Sequence, residues 1–173
     1  MKLLLSLIGA LALIVALASA AYFFGGFYNV AASEHDPDIL VSALRNVRND
    51  SISRHATDTP PANLKLDDPE TVKAGARAFA ARGCPFCHGA PGVDYAKLTE
   101  GMNPGPPDLK TEDEVKALKA AEVFWIVKNG IRMTGMPAAS GGGVPDPEIW
   151  QIAAFVKKLP EISDDDFKAW TAK

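Results

Sequence analysis

The sequence predicts an all-α chain: one long apolar helix at the N-terminus, then a domain of short helices joined by long loops. Three observations carry this. After Lys2 no charged residue occurs before Glu34, a run longer than the roughly 20 apolar residues that cross a bilayer as a helix. Beyond residue 63, capping residues and glycine or proline stops bracket apolar residues at helical spacing. No segment alternates apolar and polar residues as a half-buried strand would. The division that follows is 1–33 for the N-terminal segment, 34–63 for a juxtamembrane amphipathic helix and Pro-rich linker, and 64–173 for the compact domain.

With 173 residues, 23% charged and 47% hydrophobic, the chain suits one ordinary folded domain with an extension. A net charge of −3 supplies no broad basic surface, so no nucleic-acid partner is expected. Two cysteines are too few for a disulfide-stapled scaffold.

The N-terminal segment has two readings. A signal peptide carries an apolar region of about 7–15 residues before a small-residue cleavage site, and Ala18-Ser19-Ala20 is such a site. Apolar character nevertheless continues through Tyr22, Phe23, Phe24, Phe27 and Tyr28, aromatics that suit a membrane interface. Length and flanks favour an uncleaved single-pass anchor. Either way the remainder is exported, with Lys2 on the cytoplasmic side and Glu34, His35, Asp36 and Asp38 outside.

Asp36-Pro37 predicts a helix start, with Asp36 as N-cap. Leu40, Leu44 and Val47 recur at helical spacing opposite Arg45, Arg48 and Asn49. This short amphipathic helix packs on the folded domain, or docks on a membrane partner, in preference to lying on lipid, because it also bears Asp36, Asp38 and Asp50. The stretch Thr57–Asn63 contains Pro60-Pro61 and reads as a linker. Asp68-Pro69-Glu70 opens the next helix, which runs to about Arg82 and is stopped by Gly83. Thr111 with Glu114 forms a capping box for a helical region that breaks near Ala120 and stops at Gly130. Asp146-Pro147 opens a helix with Ile149, Ile152, Ala153 and Val156 on one face, ending before Pro160; Ser163 with Asp166 caps the last. Four short helices make a thin core, and long ordered loops need something to pack on. A large flat apolar cofactor would fill that gap.

The only cysteines, Cys84 and Cys87, stand in C-x-x-C-H with His88. In an exported chain this pattern reads as covalent haem attachment. Each thiol forms a thioether with one porphyrin vinyl group, the two-residue spacer lets one turn of backbone reach both, and the following histidine comes under the iron. Zinc usually needs four Cys or His ligands, and the other histidines, His35 and His55, lie across the linker. A redox C-x-x-C needs a βαβ setting that is absent here. A disulfide between residues three apart closes too small a loop to stabilise much. For the iron's other face the candidates are Met102, Met133, Met136, His35 and His55. Met136 lies in a loop between Gly135 and Pro137. Met133 sits near the end of the preceding helix and is read as packing. Met102, in a polar turn, is read as surface or pocket wall.

Taken together, residues 64–159 resemble the class I (monohaem) c-type cytochromes. The shared elements are Gly75 and Phe79 in the first helix, C-P-F-C-H, the loop NPGPPDL, a middle helix, the T-G-M-P loop, and a final helix with aromatics. Residues 1–60 resemble the membrane anchor and spacer of some bacterial members. The resemblance implies the cytochrome c fold, short helices and long loops wrapped round one covalent haem c. It implies thioethers at Cys84 and Cys87, His88 as proximal ligand and Met136 as distal ligand. Gly75 would let the first helix cross the C-terminal helix closely near Phe155, with Trp150 packing there too. Pro106 or Pro107 would accept a hydrogen bond from the His88 ring. Leu109, Phe124, Trp125 and Ile131 would wall the pocket, and Trp125 or Arg132 would reach a propionate. The run Gly141-Gly142-Gly143 departs from the pattern and predicts a looser methionine loop.

A haem closed by histidine and methionine suits one-electron transfer rather than oxygen chemistry. The expectation is therefore an electron carrier, or an electron-transfer subunit of a respiratory complex, and not an enzyme. It would be anchored in the bacterial inner membrane with its haem domain in the periplasm. Its partners would be membrane-bound redox proteins such as an oxidase or dehydrogenase. The alternative is haem-based small-ligand binding or peroxidase-like activity with a labile methionine.

Overall fold

The structure, a computed structural model, describes residues 1–111 and 113–172, with Glu114 described by its backbone alone. The expected Thr111–Glu114 capping box therefore lies outside the described residues. The chain is all-helical: among the described residues the only β feature is an isolated bridge between Ala90 and Val93. It divides into two compact units, Met1–Glu34 and His35–Lys173.

The first unit is helix α1, Lys2–Phe24, none of whose residues is buried. It is long and apolar enough to cross a membrane. Past its end the chain turns back, and Tyr28 packs 5.2 Å from the Phe23 ring, which lies 5.5 Å from Tyr22.

The second unit begins with α2, Asp38–His55. It starts after Pro37 with no side-chain cap, so Asp36 is not the N-cap the sequence predicts. The helix is also longer than its apolar spacing suggests. Its C-terminal half explains why: Ile52 is only 3% exposed, α2 packs on the later helix α6, Ala120–Asn129, and the His55 ring lies 6.1 Å from that of Trp125. Residues 35–63 thus fall in the same compact unit as the rest.

Helix α3, Pro69–Ala81, starts as its sequence dictates. Asp68 accepts from the Thr71 N–H at 3.1 Å, and Pro69 occupies the first turn, where a missing N–H costs nothing. Gly83, at φ +76, takes the left-handed turn past its end. Two residues further on, Pro85–His88 form the single-turn helix α4.

Helix α5, Asp113–Ala117, and α6 are separated at Leu118 and Lys119. The break has two causes. The Glu122 carboxylate accepts from the Lys119 N–H at 2.7 Å and starts a new helix. Lys157 donates to the carbonyls of Lys116 at 2.6 Å and Leu118 at 2.5 Å, satisfying the end of the old one.

Helix α7, Asp146–Lys158, is the centre of the core; it packs on α3 and α6, and α8, Asp164–Thr171, packs on α3. The crossing of α3 and α7 is close because Gly75 has no side chain. A Cβ there would overlap the Gln151 carbonyl and come 2.9 Å from the Phe155 Cβ. The approach brings the Phe79 and Phe155 rings to 5.2 Å, with Phe167 stacked 5.7 Å beyond. Such pairs add about 0.5–1.5 kcal/mol each beyond area burial. Trp150 stacks on Phe124 of α6, at 4.0 Å and 10°, so it joins α7 to α6. Ser163 caps α8 by accepting from the Asp166 N–H at 3.1 Å, as its spacing predicts.

Candidate haem site

The single turn of α4 sets the geometry of C-x-x-C-H. The Cys87 and His88 amides both donate to the Cys84 carbonyl, at 3.2 and 3.1 Å. Residues three and four apart share a helix face, so Cys84, Cys87 and His88 stand on one side of the turn. Gly89, at φ +63, ends it, and a Cβ there would come 3.0 Å from the Val93 carbonyl.

His88 Nδ1 lies 3.0 Å from the Pro107 carbonyl. A carbonyl can only accept, so Nδ1 carries the proton and Nε2 keeps its lone pair. Burial lowers the His88 pKa, and the Pro107 carbonyl partly opposes this. The ring is therefore neutral near pH 7 and ready to coordinate metal through Nε2. Of the two prolines left open by the sequence, Pro107 makes this bond.

The thiols differ from those of a redox pair. Cys84 and Cys87 are not joined in a disulfide. Burial pushes the Cys84 pKa up to about 11, opposite to the lowered thiol of redox C-x-x-C motifs. Among the described residues no group of three or more His, Cys, Asp or Glu is gathered together.

Met136 lies in the loop that follows α6. Gly130, at φ +65, starts the loop, and a Cβ there would come 2.7 Å from both the Met136 carbonyl oxygen and the Pro137 carbonyl carbon. The Met136 N–H donates to the Thr134 hydroxyl at 3.1 Å, and its carbonyl accepts from the Ile131 N–H at 3.2 Å. The Thr134 hydroxyl in turn donates to the Ile131 carbonyl at 2.8 Å. The sequence marks Thr134 only as part of T-G-M-P, though a threonine two residues before a loop position is a known turn signal. The glycine run is also pinned. Ser140 donates to the Lys128 carbonyl at 2.7 Å, and the Ala139 and Val144 amides donate to the carbonyls of Val127 and Ala139 at 3.0 and 3.2 Å.

Other predicted residues fall as follows. Leu109 is half-buried against the core. Trp125 and Ile131 are half-buried, Pro106 is half-buried and Pro107 exposed, and Arg132 is exposed. Met133 is a correction: it does not pack but is 93% exposed, with a left-handed backbone at φ 60 in the loop past the end of α6.

Beside the site, Arg82 and Glu148 pair through two contacts, at 2.8 and 3.0 Å, joining the end of α3 to the start of α7. The hydrogen bond and charge of Arg82 hold the Glu148 carboxyl below its ordinary value of 4.5. A depressed carboxyl stabilises the fold above that value and loses the contribution as pH falls through the folded pKa. The expected result is that the wild type loses stability below pH 4.5 more steeply than Glu148→Gln in denaturant titrations. Equal slopes would show that the pair contributes nothing.

An all-helical domain with a Cys-x-x-Cys-His turn, whose histidine is oriented by a proline carbonyl, defines a c-type cytochrome domain. Residues 70–156 match the family described as cytochrome c oxidase, cbb3-type, subunit III, and the chain belongs to that family. Comparison with curated proteins and with solved structures gave no match. The domain carries a covalently bound haem c and serves haem-based electron transfer, and the apolar N-terminal helix fits a single-pass membrane anchor.

Proposed function

We propose that this protein is a one-electron carrier, or the electron-transfer subunit of a respiratory complex, tethered at the periplasmic face of a bacterial inner membrane. The observation that supports this best is the His88–Pro107 hydrogen bond, which presents a neutral imidazole beside two free thiols one turn away. In this reading residues 64–173 hold the haem and residues 1–33 the anchor. Bound there, the haem supplies a one-electron iron couple.

The chain's own residues do the rest. Cys84 and Cys87 attach the porphyrin. His88 would hold the iron through Nε2, and its Nδ1 bond fixes ring orientation and raises ligand basicity. Met136 would supply a thioether ligand, which favours the reduced state and so raises the potential. Leu109, Trp125 and Ile131 exclude water, and Trp125 or Arg132 meets a propionate. The anchor confines the domain to the membrane surface and raises its effective concentration at membrane-bound redox partners, a cbb3-type oxidase among them.

Met136→Ala tests the ligand set. It is expected to keep the haem attached, to lower the potential by about 0.1 V of the roughly 0.8 V that axial ligands span, and to open the reduced protein to carbon monoxide. The weak red-edge absorption of iron bound to methionine sulfur should vanish. An unchanged potential and spectrum would refute the assignment. Ready carbon monoxide binding by the wild type would favour ligand sensing instead.

A further inference from the structure

The loop after the Cys-x-x-Cys-His turn is tied back to it at several points. The Ala96 N–H donates to the Phe86 carbonyl at 2.9 Å. Thr99, only 2% exposed, donates its hydroxyl to the Ala96 carbonyl at 2.7 Å. The Met102 N–H donates to the Thr99 carbonyl at 3.1 Å. A few residues on, the Pro107 carbonyl accepts from His88 at 3.0 Å. The same loop also reaches the methionine loop. A Cβ on Gly135 would come 3.1 Å from the Met102 Cε and 3.3 Å from its Sδ. The Met102 thioether thus packs directly against Gly135, one residue before Met136.

We propose that Met102 is a positioning residue for Met136. Packed on Gly135, it holds the methionine loop closed, so that one loop governs both axial side chains: His88 through Pro107, and Met136 through Met102. Methionine suits this place because its flexible, polarizable chain fills irregular gaps. Truncating it would leave the loop with hydrogen bonds from Thr134 and Ile131 but no packing on Gly135, and the loop would open more often. The proposal rests on Met136 being the distal ligand.

The test uses the full-length holoprotein in detergent, with carbon monoxide as the probe of the reduced form. Met102→Ala is expected to keep the haem attached and to bind carbon monoxide about tenfold more tightly, since apparent affinity scales with the open fraction. Its red-edge sulfur band should be weaker than in the wild type. Met102→Leu, of similar volume, should restore most of both. A purely structural role would lower thermal stability and leave both readouts unchanged, which would overturn the proposal. Met136→Ala separates the two claims. If it abolishes the band while Met102→Ala behaves as wild type, only the positioning role fails. If Met136→Ala keeps the band and Met102→Ala abolishes it, Met102 is itself the ligand and both claims fall.

Discussion

His88→Ala is expected to yield polypeptide with little covalently attached haem, read as absorbance per chain and as intact mass. The ring does two jobs in the proposed site: Nε2 meets the iron, and Nδ1 is tied to Pro107 at 3.0 Å. Losing the first removes the proximal ligand. Losing the second is cheap for the fold, because Pro107 is exposed and water can replace a hydrogen bond whose net worth is about 0.5–1.5 kcal/mol. The apoprotein's helices should therefore be no less formed than in wild-type chain prepared without haem, so the loss falls on haem capture. A normal yield of haem-bearing protein with an unchanged spectrum would contradict the proximal role.

Gly75→Ala should have the largest effect on stability. In an exposed helix the change would help by about 1 kcal/mol. Here the new methyl would overlap the Gln151 carbonyl and approach the Phe155 Cβ at 2.9 Å. Both obstacles belong to the α7 framework, so neither can swing aside like a side-chain tip. The helices must separate, loosening the Phe79–Phe155 contact and the core round Ala76 and Ile152, both buried. Overpacking of this kind costs about 1–3 kcal/mol or more, a large part of a total near 5–15 kcal/mol. We expect a fall in melting temperature of roughly 5–15 °C in the holoprotein. A melting temperature at or above that of the wild type would show that α3 and α7 do not cross at Gly75.

Much of this was legible in the sequence because it rests on short-range chemistry. Asp68 and Ser163 cap their helices within three residues, Gly83 turns the chain at its own φ, and Cys84, Cys87 and His88 share one helical turn. What failed locally failed for reasons lying elsewhere in the chain. Asp36 has the composition of an N-cap, yet α2 starts after Pro37, and His55 reaches Trp125 of α6. Met133 reads as packing near the helix end, yet it is 93% exposed with a left-handed backbone. The glycine run read as loose, yet α6 carbonyls hold its start.

The sequence by itself determined the all-helical class, the long apolar N-terminal helix and the haem-binding turn, because capping, hydropathy and two-residue spacing act between neighbours. Only the tertiary structure decided that Pro107 rather than Pro106 orients His88, that Trp150 stacks on Phe124, that α2 joins the compact unit, and that Met102 lies against Gly135. Each of these joins residues far apart in the chain, and such contacts depend on close packing in three dimensions, which a local pattern does not encode.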